Sequence, residues 1–80
     1  MNWMKELDKR KAYENLANAI IEQAANDFRE AKRRLQKNAR DAEAEKTYRE
    51  VKRFFRSAWF GQLTSLDGEW LLEKLEGEFA

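Results

Sequence analysis

Few side chains could act as nucleophiles, and the candidates weighed are Ser57, Thr64 and Ser65. The chain has no histidine to serve as their base, and no cysteine. Each of the three reads better as a helix cap or a turn residue. Asp67-Gly68-Glu69 invites comparison with a calcium loop, but the ligand spacing around it is missing. Asp41, Glu43 and Glu45 could hold a hard cation weakly; a solvated helix start accounts for them better. No phosphate-cradling loop or dinucleotide fingerprint is present. No catalytic residue, cofactor or metal site is therefore assigned, and the chain is expected not to be an enzyme. What remains is recognition by contact.

Two groups of residues suit contact. Phe54, Phe55, Trp59 and Phe60 fall within seven positions, and Trp70 follows. On one helix these rings point in several directions, so a single packing partner cannot cover them all. Two outcomes are open: a folded-back helix sandwiches the rings, or Phe60 and Trp70 stay outside as a docking patch. The second group is cationic. Arg29, Arg33, Lys37 and Arg40 recur at helical spacing, and so do Lys46, Arg49, Arg53 and Arg56.

Helices must position these groups. Proline is absent, and the three glycines fall at 61, 68 and 77, so sixty residues pass without a strong helix breaker. The expectation is one all-α domain over residues 1–80: a three-helix bundle made of a long antiparallel helical hairpin and a shorter C-terminal helix. Residues 1–7 are expected to form a turn or frayed end that tucks Trp3 onto the core, with Asp8 as a possible N-cap. The first helix covers 9–37, its inner face carrying Tyr13, Leu16, Ala17, Ile20, Ala24, Phe28, Ala31 and Leu35. It should stop near Asn38, which tolerates a left-handed backbone. Asp41 caps a second helix over 42–56, with Ala44, Tyr48, Val51 and Phe55 inward, followed by Ala58 or Trp59. Ser57 caps a short turn, Gly61 breaks it, and Thr64 opens a third helix over 65–76. Leu66, Trp70, Leu71, Leu72 and Leu75 would face inward, and Gly77 would end the helix. By rise per residue, the second and third helices laid in succession about match the first. Either they cover it within one molecule, or its bare part pairs with a second copy.

The stretch "FFRSAWFGQLTSLDGEWLLEKL" resembles the C-terminal part of short, uncharacterised helical proteins of phages and mobile elements of Gram-positive bacteria. The matching residues are Phe54, Phe55, Arg56, Ser57, Trp59, Phe60, Leu63, Thr64, Asp67, Gly68, Glu69 and Leu71. The likeness covers roughly the last third and brings no functional residues with it. It implies a phage context, in which proteins of this size often bind and block a host protein, including as anti-CRISPR inhibitors.

Charge is segregated although the formal total is only +1. Residues 1–28 hold 4 basic and 5 acidic side chains, residues 29–56 hold 11 and 5, and residues 57–80 hold 1 and 5. The acidic tail could pair with the basic middle, within a chain or between copies. The expected partner is a host protein, contacted through Phe60, Glu69, Trp70, Arg49, Arg53 and Arg56. Nucleic acid on Arg29, Arg33, Lys37, Arg40 and Lys46 is the alternative, and a structural homodimer is a third. With no membrane span and no apolar leader stretch, a soluble cytoplasmic protein is expected, with no membrane partner.

Overall fold

The computed structural model describes the backbone of residues 3–80 and the side chains of residues 9–80. Four helices follow in order: α1 (Trp3–Lys37), α2 (Ala42–Phe55), α3 (Ala58–Leu63) and α4 (Gly68–Gly77). The fold is all-α, as the alanine, leucine and charged-residue content dictates. Among the described residues no helix is long and apolar enough to cross a membrane.

Helix α1 does not begin after Asp8; it is already helical at Trp3, so the expected separate N-terminal turn and the Asp8 cap are not seen. The Met4 to Lys11 stretch has no breaker to interrupt it. The placement expected for the Trp3 ring lies outside the described side chains.

The first hairpin turn is set by local hydrogen bonds. Asn38 N–H donates to the Arg34 carbonyl at 2.9 Å, and Asp41 N–H donates to the Asn38 carbonyl at 3.1 Å. No residue among those described takes a positive φ, so Asn38 ends α1 without the left-handed conformation expected of it. Its side-chain oxygen instead accepts from Arg40 N–H at 3.0 Å. Asp41 then caps α2 by accepting from Ala44 N–H at 3.0 Å. The same carboxylate takes both Arg34 Nε and Nη2, at 3.0 and 3.1 Å, and so ties the two helix ends together. The Ala44 N–H first, and then Arg34, hold the Asp41 carboxyl below its ordinary value despite the opposing effect of burial.

Helix α2 runs back along α1. Ala31 lies beside Ala44, and the Phe28 and Tyr48 rings meet at 5.3 Å. Ile20 and Ala24 share a groove with Val51 and Phe54. The chain then kinks. Arg56 and Ser57 leave the helix, and Ser57 restarts it by accepting from Phe60 N–H at 3.1 Å while donating to the Phe54 carbonyl at 2.7 Å. Gly61 sits inside the resulting short helix and does not break it. The interruption resets the helical phase. Phe60 therefore turns inward against Phe54 and Phe55, with centroids 5.7 and 5.3 Å away. Ala58 and Trp59, one of which was expected to continue the buried stripe, face out.

The last helix starts later than Thr64 suggests. Thr64 closes α3, and Asp67 is the cap, accepting from Glu69 and Trp70 N–H at 3.0 and 3.4 Å. Gly68 opens α4 against the end of α2. A Cβ there would stand 1.9 Å from the Phe55 carbonyl oxygen and 3.3 Å from the Phe60 ring. Only glycine permits that approach. From this contact α4 returns along α2, so that Glu76 reaches Tyr48 and the Phe79 ring lies 6.4 Å from Phe28. The central core is Phe28, Val51, Phe55, Phe60, Leu72 and Leu75. Leu66 and Trp70, expected inside, are exposed, because starting the helix at Gly68 gives the inner face to Leu72 and Leu75.

The covering elements are shorter than α1. Ala17 is buried, and near it Leu63, Thr64 and Ser65 mark the last layer across the hairpin. Residues 9–16 are exposed at every position. Tyr13 and Leu16, assigned to the inner face by their spacing, are 54% and 60% exposed, while the α3–α4 connection lies by Glu14, Ala17 and Asn18 instead. The long dimension of the molecule, 57 Å against 20 and 19 Å across, follows from the 35-residue length of α1.

Candidate protein-docking surface

The residues expected to make contacts separate into three groups. Arg49 and Arg53 lie on one face of α2, as their spacing of four requires, and Arg56 follows as its C-cap. With Lys52 and Ser57 they line a shallow depression of about 450 Å³. At one edge, Arg56 Nε meets Glu69 Oε1 at 2.5 Å, which joins the depression to the first turn of α4. Trp70 follows on that turn with half of its surface exposed, and Lys74 lies 5.3 Å from its ring centre. The structure thus brings Arg49, Arg53, Arg56 and Glu69 into one region, with Trp70 outside the core next to Glu69.

Phe60 does not join them. It is 2% exposed and belongs to the core. A continuous helical wheel hides this burial because the kink at Arg56-Ser57 exchanges the roles of Trp59 and Phe60. The signal was available in Ser57: a serine three residues before Phe60 caps a new helix, and a new helix has a new phase.

The third group is the set of cations suited to phosphate contact. Arg29 is largely engaged within the chain. Its guanidinium grips both Glu78 oxygens, at 2.8 and 3.0 Å, and also donates to Asn26 at 3.0 Å. Arg33, Lys37, Arg40 and Lys46 are exposed. Among the described residues none of these four makes an ion pair.

The acidic tail does pair with the basic middle inside one chain. Besides Arg29 with Glu78 and Arg56 with Glu69, Lys32 Nζ lies 3.1 Å from Glu76 Oε2. Tyr48 donates its hydroxyl to the other Glu76 oxygen. Lys32 and Lys52 lie over the Tyr48 ring, 4.7 and 4.5 Å from its centre. Burial pushes the Glu76 carboxyl up, but the Tyr48 hydroxyl and Lys32 outweigh it and hold the group below its ordinary value. This clasp ties α1, α2 and α4 together. Such partly exposed pairs add little stability singly, under about 1 kcal/mol each, but they fix the orientation of α4 and hence of Trp70.

Elsewhere, the carboxylates weighed for a cation are engaged with basic groups. Asp41 takes Arg34, Glu43 lies 3.7 Å from Arg34, and Glu45 lies 3.8 Å from Arg49. Among the described residues no three potential ligands converge on a metal position. A further groove, unforeseen in the sequence, lies between α1 and α2 and is closed at one end by Trp59.

No family model, no curated protein and no solved structure matches the chain.

Proposed function

We propose that the protein is a non-enzymatic binding module of the cytoplasm that docks an acidic surface of another protein. The observation carrying this reading is the depression of Arg49, Lys52, Arg53 and Arg56, joined through the Arg56–Glu69 pair to the turn of α4 that bears the half-exposed Trp70. Arginine and tryptophan are among the side chains that most often anchor interfaces, the one through a rigid planar fork of donors and the other through a wide ring. The cations would steer an acidic partner, and the ring would supply apolar contact once docked. The resemblance of the last third to phage and mobile-element proteins supports a host protein as the partner. Inhibition of a defence factor, in the manner of an anti-CRISPR protein, would be the consequence.

The test is affinity capture from host lysate treated with nuclease, using the intact chain, Trp70→Ala and Arg53→Glu. The expected result is a protein retained by the intact chain and lost from both variants, with helicity unchanged by circular dichroism. Retention of the same protein by both variants would refute the docking site.

Nucleic-acid binding is a second reading, favoured by the exposed and unpaired Arg33, Lys37, Arg40 and Lys46. Its mark would be affinity that falls steeply with salt and disappears when Arg33 and Lys37 become glutamate. In that case nuclease would empty the capture experiment.

A further inference from the structure

The bare arm of α1 and the groove beside Trp59 complement each other. The groove has a volume of about 210 Å³ and is floored by Ile20, Ala24, Val51 and Phe54, with Trp59 at its end. Its rim carries two acids, Asp27 and Glu50. Among the described residues Asp27 accepts only from Gln23, at 2.9 Å, and neither acid has a cationic partner. The arm offers the opposite character: the basic run Lys9-Arg10-Lys11 next to exposed Tyr13 and Leu16.

Arm and groove lie on the same continuous helix. A helix cannot fold back onto itself, so within one chain the two never meet. A second copy can bring them together. Lys9, Tyr13, Leu16, Ile20, Gln23 and Asp27 are spaced four, three, four, three and four apart, which is the alternation of a helix–helix seam. We infer that two copies pair antiparallel through this seam, about a two-fold axis at the level of Asn18. That register sets Leu16 opposite Ile20, Tyr13 opposite Gln23 and Lys9 opposite Asp27, each contact made twice, as an isologous interface demands. The arm of each copy then fills the groove of the other, with its basic run along the Asp27 and Glu50 rim. The apolar centre is short, so the pairing is reversible. It leaves the arginine-lined depression to the partner proposed above and does not depend on that reading.

Light scattering on the purified full chain over a range of concentrations tests this. The expected result is a mass rising toward twice the 9.6 kDa of one chain. Leu16→Glu, at an exposed position next to the axis, is expected to give monomer at all concentrations with its circular dichroism unchanged. Lys9→Glu turns two attractions into repulsions and is expected to weaken pairing roughly tenfold. The double change Lys9→Glu with Asp27→Lys is expected to restore it. An intact chain that stays at the monomer mass into the millimolar range overturns the inference, even if some other protein then occupies the groove. So does a dimer indifferent to Leu16→Glu, or a charge-swapped chain as weak as Lys9→Glu alone.

Discussion

The aromatic turn around Phe60 and the arm around Leu16 look alike in sequence: both carry large apolar side chains at helical spacing. They end up in opposite environments. At the aromatic turn, the Ser57 cap fixes the phase, Gly68 lets α4 press against Phe55, and Leu72 and Leu75 close the layer. At the arm, α2 and α3 have run out and α4 has turned back toward Phe28. Periodicity names the face of a helix that seeks cover. It does not say whether the chain has anything left to cover it with.

The contrast can be broken by truncating one residue in each region. Phe60→Ala is expected to cost about 3–5 kcal/mol, because it empties a fully enclosed site. Leu16→Ala should cost less than about 1 kcal/mol in dilute solution, since most of that side chain is already in water. Denaturant unfolding of both variants checks the difference, and equal costs would erase the distinction between the regions. Next in size is Gly68→Ala. A methyl group 1.9 Å from a backbone carbonyl oxygen must move α4 or α2, at an expected cost of about 2–3 kcal/mol. Gly61→Ala, where nothing lies within 4 Å of the added carbon, is the control. It should be neutral or slightly stabilising, as an alanine inside a helix generally is.

A smaller effect is expected from acid. Asp41 and Glu76 both have carboxyls held below their ordinary values in the folded chain. Their contribution is therefore complete above the unfolded carboxylate range, roughly pH 4. It drains away as pH falls below that range and through the lower folded values. The melting temperature should fall with acidification below about pH 4, and less steeply in Asp41→Asn, which has one fewer such group to protonate. An unchanged slope in that variant would detach Asp41 from the acid response.

The sequence made legible what depends on near neighbours. The helical class, the Asp41 and Ser57 caps and the alignment of Arg49, Arg53 and Arg56 all follow from spacings of three or four residues. Contacts between distant segments were not legible. The need for glycine at 68 comes from Phe55, which lies beyond an intervening helix. The burial of Phe60 in place of Trp59 comes from a phase reset at two residues, Arg56 and Ser57, that a continuous helical wheel ignores. Phe79 on Phe28, and Tyr48 with Glu76, arise only when α4 returns across the hairpin. The docking surface was legible to a lesser degree: register aligns the arginines, but spacing gives Trp70 both to the inner face and to the surface, and Phe60, a contact candidate, belongs to the core.

Amide hydrogen exchange resolved along the chain, at low and high protein concentration, tests the central claim most directly. Rapid exchange is expected over residues 9–16 in dilute solution, slowing there as concentration rises, while α2 and the residues around Phe60 stay equally protected throughout. Residues 9–16 protected as strongly as Phe55 and Phe60 in dilute solution, with no dependence on concentration, would contradict it.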